Sequence, residues 1–395
     1  MTLSFLSVLP SLTPTVVPYQ GLSRVPNIGI LSTYPPTRCG LAAFSAALSE
    51  GLRANAARVD VVRIADGAPS EDVGVVGELV NGVPASVAAA VELLNRSDVV
   101  IVQHEYGIYG GADGDEIVDI IRGLRVPSIV VAHTVLKAPT PQQRWVLETI
   151  AAEVDQVVVM TAAAHARLCE GYDIDRRKVT TIPHGATVAA NVQVKRSGRP
   201  TLLTWGLLGP GKGIERVIDV MDSLRELPGR PRYLIAGRTH PKVLAADGDA
   251  YLDSLRERAI SRGVADSVSF DPAYRDTLAL SAMVQSAAAV VLPYDSTDQV
   301  TSGVLVDAIA NGRPTVATAF PHAVELLGDG TGIVVSHDDT DALRSALHMV
   351  LTQPRLAGSM AARARLLAPA MAWPVVAKDY LYLAQRLCAK RSAYA

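Results

Sequence analysis

Two α/β domains, each a parallel sheet with helices on both faces, facing one another across a cleft, are what this sequence predicts. Three observations carry the prediction. From Asn27 onward, short apolar strand-like runs alternate with helical stretches, the order that builds parallel sheets. At 395 residues the chain is too long for one ordinary core and fits two domains of roughly 150–200 residues. Its composition, 49% hydrophobic and 19% charged with many Ala and Val, is that of buried parallel strands.

The elements follow in order. NIGILS (27–32) is a strand, and its loop TYPPTRCG leads into a helix from about Leu41 to Leu52. Strands RVDVVRI (58–64) and DVVIVQ (98–103) flank a helix at 84–95, and the loop HEYGIYGGADG follows the second of them. Helix 115–124, strand PSIVVA (127–132), helix 141–153, strand QVVVM (156–160), helix 161–170 and strand KVTTI (178–182) complete a first half. The apolar pattern lapses in AANVQVKRSGRP, from Ala189 to Pro200, which is expected to be the interdomain linker. The second half has strand TLLTWG (201–206), a glycine-rich loop and helix, strand RYLIAG (232–237), helix 249–262, strand SVSF (267–270) and helix 276–285. Strand Ala288–Leu292, a helix opening near Ser302 and Gly303, strand Pro314–Thr318, strand GIVVS after Thr331, and helices 338–352, 354–368 and 375–391 end the chain. Both halves read as Rossmann-like. The expected domains are a flexible leader at 1–26, a first domain at 27–195, a second at 196–372, and a terminal helix at 373–395 that crosses back to the first.

Several function classes are excluded early. A net charge of −2 gives no basic stripe for nucleic acid. Cys39, Cys169 and Cys388 are scattered and supply neither a disulfide framework nor a four-cysteine zinc site. The first 25 residues are apolar but carry Pro10, Pro14 and Pro18, and the first charge is Arg24, unlike a secretory signal. No apolar run is long enough to span a membrane. The expected location is the cytoplasm, with peripheral contact at the inner face of the membrane left open. Asp113 with Asp115, Asp173 with Asp175, and Asp247 with Asp249 pair carboxylates two apart, a weak metal signal; the last two pairs fall in polar loops and read as solvated turns, and no metal site is expected.

The chemistry-bearing stretches all follow strands, where ligands bind in open α/β sheets. In VVLPYDSTDQVTSGVLVDAIANGRPTVATA (290–319), backbone N–H groups of Ser302, Gly303 and Val304 at a helix start form an expected anion site. Asp307, one turn along, places a carboxylate beside it for ribose hydroxyls. WGLLGPGKGIE (205–215) puts glycines and Lys212 at another helix start, a candidate phosphate loop that is not the Walker pattern. In the first half, Arg38 and Gly40 open a helix after the first strand. Gln103, His104 and Glu105 of QHEYGIYGG, and His133 of VVAHTV, stand at strand ends where a sugar could be met. IPHGA (182–186) has the same shape. For each, an ordinary loop or a satisfied structural histidine is the competing reading.

These motifs resemble the group 1 (family 4) retaining glycosyltransferases of GT-B architecture. The resemblance runs from about Asn27 to the end and is most specific in GLLGPGKGIE, IPHG and QVTSGVLVDAIANGRPTVAT; QHEYGIYGG is similar to a QHE(F/Y)GI(F/Y)GG signature in a subset. It implies that Lys212 and Gly213 meet a donor diphosphate, and that Asp307 stands at the second glutamate of an E-x7-E motif. His133 then corresponds to a histidine near the reacting sugar. Two departures stand out. Leu207 replaces a loop arginine, for which Arg38 or Arg238 are candidate substitutes, and Gln299 replaces the first glutamate.

The function so implied is transfer of a hexose from a nucleotide-diphosphate sugar to a hydroxyl acceptor, with retention and without a metal or other cofactor. His133 and Gln299 are the expected catalytic residues. Gly40, Lys212, Gly213, Ser302, Gly303, Val304 and Asp307 are expected to bind the donor nucleotide. Arg38, His104, Glu105 and Arg238 are placed toward the acceptor, which is a sugar, a glycolipid or a small hydroxyl compound. The nucleotide base and the hexose stay open. Two alternatives also stay open: a sugar-nucleotide binder of the same fold without turnover, and an NAD-dependent oxidoreductase, for which the glycine spacing is wrong.

Overall fold

Runs such as VVIVQH and SIVVA are buried along their whole length, which only strands covered on both faces can be. The computed structural model describes residues 24–188 and 198–394. The expected leader lies outside the described residues up to position 23, as do most of the expected linker and the expected 195/196 boundary.

The first domain runs β1 (Ile28–Ser32), α1 (Gly40–Ala54), β2 (Val59–Ile64), β3 (Val75–Leu79), α2 (Pro84–Leu94), β4 (Val99–His104), α3 (Glu116–Gly123), β5 (Ser128–Ala132), α4 (Pro141–Glu153), β6 (Gln156–Val159), α5 (Ala162–Gly171) and β7 (Val179–Thr181). The second runs β8 (Thr201–Trp205), α6 (Ile214–Leu224), β9 (Arg232–Ala236), α7 (Pro241–Asp247), α8 (Ala250–Ser261), β10 (Val268–Asp271), α9 (Thr277–Ser286), β11 (Ala289–Leu292), α10 (Gly303–Ala310), β12 (Thr315–Thr318), α11 (Pro321–Leu327), β13 (Gly332–Val335), α12 (Thr340–Thr352) and α13 (Pro354–Met371). Helix α14 (Trp373–Tyr394) ends the described chain.

Both sheets are parallel. Their strand orders are β3-β2-β1-β4-β5-β6-β7 and β10-β9-β8-β11-β12-β13. In each, the order reverses between two central strands, β1 and β4 in the first and β8 and β11 in the second. A crevice opens at such a switch point beyond the carboxyl ends of the strands. The architecture is GT-B. Strand β3, and helices α7 and α11, are additions to the elements expected from the sequence.

The chain crosses between domains twice at one place. Ala186 N–H donates to Met371 O at 2.7 Å, and Trp373 N–H donates to Ala186 O at 3.2 Å. Helix α14 then lies on the first domain, where Val376, Tyr380, Leu383 and Leu387 join the core of β1, β2 and α1. The contact is close because Gly51 of α1 has no side chain: a Cβ there would stand 2.7 Å from Trp373 O. Gly51→Val is therefore expected to lower stability by about 1–3 kcal/mol in denaturant unfolding, the cost of overpacking. Gly358→Ala, in α13 with open space around it, is the control and should raise stability by about 0.5–1 kcal/mol. Equal effects of the two substitutions would mean that α1 and α14 are not in tight contact.

No helix among the described residues is long and apolar enough to cross a membrane.

Candidate functional site

The loops after β8 and β11 are locked together at the second switch point. Gly213, at the start of α6, has φ 62°, and any side chain on it would collide with the Pro293 carbonyl. Asp295 N–H donates to Gly211 O at 2.9 Å. Lys212 is thereby held with its Nζ 4.5 Å above the ring of Tyr294, itself buried and stacked on Phe320 at 5.2 Å. The Tyr294 hydroxyl lies at the Ser302 side chain, so this tyrosine stands between Lys212 and the start of α10. Burial lowers the Lys212 pKa, and no carboxylate among the described residues pairs with it.

The start of α10 departs from the expectation in one respect. Ser302 N–H is not free: it donates to His322 Nδ1 at 2.8 Å. The Ser302 hydroxyl in turn accepts from Leu305 N–H at 3.3 Å, the usual work of a serine N-cap. The N–H groups of Gly303 and Val304 make no bond among the described residues. Three expected anion donors are therefore two, because a histidine two residues into α11 takes the third. Thr301, just ahead, has a buried hydroxyl without a partner.

Asp307 sits one turn along α10 with its carboxylate unpartnered among the described residues. Burial raises its pKa to about 7, although the residue as a whole is only half-buried. Gln299, eight residues earlier, donates its amide to Thr301 O at 3.0 Å. Its main-chain carbonyl accepts from His322 N–H at 3.4 Å.

On the first-domain side, His133 Nε2 stands 2.7 Å from Gln103 Oε1. With that oxygen accepting, the ring proton is on Nε2 and Nδ1 is left as an acceptor. Burial, then the neighbouring His184 and His104, holds the His133 pKa down at about 3. It is neutral at physiological pH. His184 of the IPHG turn, held by burial at about 4, touches the space over Gly303: a Cβ on that glycine would lie 3.0 Å from His184 Nε2. Phe44 of α1 meets His133, His184 and Trp373 edge-on at 4.7, 5.0 and 4.8 Å, fixing all three. The imidazoles of the two domains thus converge on the α10 start.

His104 is a correction. The sequence places it toward an acceptor, but it is 0% exposed and neither ring nitrogen has a partner among the described residues. The last residue of β4, it is sealed from solvent with its ring edge-on to that of Tyr106 at 4.9 Å. Burial pushes its pKa down to about 4. Glu105 is half-buried, accepting from the Thr134 hydroxyl at 2.6 Å and from Tyr106 N–H at 3.2 Å. Burial raises its pKa against those bonds and the nearby Lys242 of α7. The QHEYGIYGG glycines let the loop fold back so that the Tyr109 hydroxyl donates to Gln103 O at 2.7 Å.

Gly40 is exposed at the first residue of α1 with open space around it. The loop before it is supported by Arg63, whose fully buried guanidinium donates to Tyr34 O at 3.1 Å and the Thr37 hydroxyl at 3.0 Å and pairs with Glu78 and Asp66. Arg38 is exposed and lies over the Tyr274 ring of the second domain at 4.9 Å. Arg238 donates to Pro272 O at 3.2 Å. Neither arginine contacts α10.

Sequence reading missed the residues that join the domains around this site. The Thr161 hydroxyl donates to Val300 O at 2.9 Å, and Arg167 donates to Asp298 O at 2.7 Å. Both come from the start and body of α5, and they grip the residues on either side of Gln299. In return Glu325 of α11 accepts from Ala162 and Ala163 N–H at 2.9 and 3.1 Å, a carboxylate on the positive end of α5. No cluster of three or more metal-ligating side chains occurs among the described residues.

Both domains match known families. A family model for Glycosyltransferase Family 4 matches residues 39–189, and one for Glycosyl transferases group 1 matches residues 188–367. A D-inositol 3-phosphate glycosyltransferase of Kineococcus radiotolerans is 26% identical over 303 residues, 68% of each chain. Sucrose-phosphate synthase of Thermosynechococcus elongatus superposes with a TM-score of 0.75 at 18% identity, covering 92% of this chain and 100% of that one. Anabaena HepE in complex with UDP and glucose gives 0.72 at 15% identity, covering 90% and 98%.

Proposed function

From the premise that the chain is a glycosyltransferase of the group 1, GT-B type, we propose that it moves a hexose from a nucleoside-diphosphate sugar to a hydroxyl acceptor with retention of configuration. The observation that carries the reading is the cluster in which Lys212 and the free N–H groups of Gly303 and Val304 stand on either side of Tyr294, with the Asp307 carboxylate one turn beyond. A diphosphate meets the first three, and a ribose meets the last. HepE is a neighbour solved with UDP and glucose, which favours a uridine nucleotide as the first donor to try.

In the reaction, the bond from the sugar C1 to the diphosphate oxygen breaks as the acceptor oxygen attacks from the same face. The acceptor proton passes to the departing phosphate oxygen. Charge growing on the diphosphate is met by fixed N–H groups and Lys212, which take the part a divalent cation would otherwise play. His133, neutral at working pH, holds a sugar hydroxyl through Nδ1 rather than moving a proton. Gln299 bonds sugar hydroxyls without charge. The acceptor enters over Glu105 and the loops after β1 and β4, in the cytoplasm.

The test is a panel of UDP-, GDP- and ADP-hexoses incubated with the full chain, with release of the nucleoside diphosphate and the anomer formed read by NMR in the presence of EDTA. Turnover of one donor with retention is expected. Tight binding without any turnover would favour the same pocket in a non-catalytic sugar-nucleotide binder, the reading that Leu207 and Gln299 support. A turnover abolished by EDTA would overturn the metal-free scheme.

A further inference from the structure

We propose that His322 is a ligand of the donor diphosphate, giving its Nε2–H to a phosphate oxygen at the start of α10. The inference rests on the donor reading above and adds a residue to it.

The tautomer follows from the hydrogen bonds. Ser302 N–H donates to His322 Nδ1 at 2.8 Å, and a ring nitrogen that accepts from an amide carries no proton. Burial holds the ring neutral, with a pKa of about 3. Its one proton must therefore be on Nε2. The backbone fixes the ring as well, since His322 N–H donates to Gln299 O at 3.4 Å. His322 thus spans the segment from Gln299 to Ser302, its main chain bonded at one end and its ring at the other.

His322 is only 4% exposed. Its Nε2 nonetheless has no partner among the described residues, and it is not one of the polar atoms sealed from solvent. A buried ring held rigidly at one nitrogen presents the other as a bare donor. Beside it stand the open N–H groups of Gly303 and Val304, the orphan Thr301 hydroxyl and, across Tyr294, the Lys212 ammonium. Donors outnumber acceptors at this point: His184 Nε2, an acceptor because Nδ1 gives its proton to Gly185 O at 2.6 Å, faces Gly303, the Asp295 carboxylate is paired with Arg216, and Asp307 lies a turn further on. A concentration of unpaired donors around a helix N-terminus selects an anion with several acceptor oxygens. Because Nδ1 is committed to Ser302, the ring stabilises negative charge and takes no proton from the acceptor.

Asparagine separates the two nitrogens. In His322→Asn the Oδ1 atom can still accept from Ser302 N–H, while nothing stands where Nε2–H stood. His322→Ala removes both. The probes are UDP, GDP, ADP and the matching nucleosides, measured by calorimetry on the full chain. His322→Asn is expected to keep the wild-type melting temperature and nucleoside affinity but to bind the preferred diphosphate roughly tenfold more weakly. Equal diphosphate affinity in wild type and His322→Asn would overturn the proposal, and so would an equal loss for nucleoside and diphosphate. If wild type binds no nucleoside diphosphate, the donor reading falls and this one with it. Nitrogen NMR of histidine-labelled wild type decides independently of the variants' folding. A protonated Nε2 whose signal moves on adding the diphosphate supports the assignment, and a proton on Nδ1 or an unmoved signal overturns it.

Discussion

Lys212→Ala is expected to weaken binding of the nucleoside-diphosphate sugar by roughly 10–150-fold, the equivalent of about 1.5–3 kcal/mol for a lost charge-assisted hydrogen bond. The size follows from how the side chain is held. Its ammonium lies over the Tyr294 ring, partly stripped of water and with no carboxylate partner among the described residues. A cation in that state gains more from a diphosphate than a surface lysine would. The loop around it is fixed by Gly213 against Pro293 and by the bond from Asp295 to Gly211, so little ordering is left for binding to do. Lys212→Met keeps the alkyl packing on Tyr294 and should lose nearly as much affinity as Ala, showing that charge rather than contact is responsible. Calorimetry with unchanged affinity in both variants would place Lys212 outside the donor site.

How far the sequence leads depends on whether a feature is local. β4 and β5 are legible because six and five consecutive buried residues leave no other reading. The glycine-rich loop before α6 is legible because glycines and one lysine run into an amphipathic helix. β3 is not: it is a sheet-edge strand with Gly77 and Glu78 inside it, and edge strands carry such residues. His104 misleads because a histidine at the end of a buried strand looks the same whether it faces the cleft or the layer beneath. His322 escapes notice for a different reason. The signal is there, a proline opening a short helix directly after a strand, but only the bond from Ser302 N–H to its Nδ1 shows that the ring occupies Ser302. Thr161, Arg167 and Glu325 belong to the docking of the domains, and nothing local in the chain announces a contact across well over a hundred residues.

Asp307 ties nucleotide binding, stability and pH together, and its substitution should move all three. In the empty protein burial holds its pKa at about 7 against an ordinary 3.8. The folded state therefore keeps a proton that the unfolded chain gives up. Stability from this group is complete below about pH 4 and is lost as pH rises toward 7, amounting to about 1–3 kcal/mol once cleft water is allowed for. Asp307→Asn has no such loss, so at pH 8 the empty variant should be more stable than wild type by that amount, and the gap should close toward pH 4. Function runs the other way. Two carboxylate oxygens accept from the paired 2′ and 3′ hydroxyls of a ribose, and this requires the ionised form. Wild-type affinity for the nucleotide should fall below pH 7, because binding must expel the proton, whereas the Asn variant should show no such dependence. The ratio of the two affinities isolates Asp307 from the phosphates' own protonation. Asp307→Ala is expected to lose about 1–3 kcal/mol of nucleotide affinity and to discriminate less against 2′,3′-dideoxyribose nucleotides. The site thus holds a carboxylate that weakens the empty fold, as binding sites often do. A wild type that binds ribose and dideoxyribose nucleotides equally, with a pH-independent ratio to Asp307→Asn, would make Asp307 a structural residue and move the ribose elsewhere.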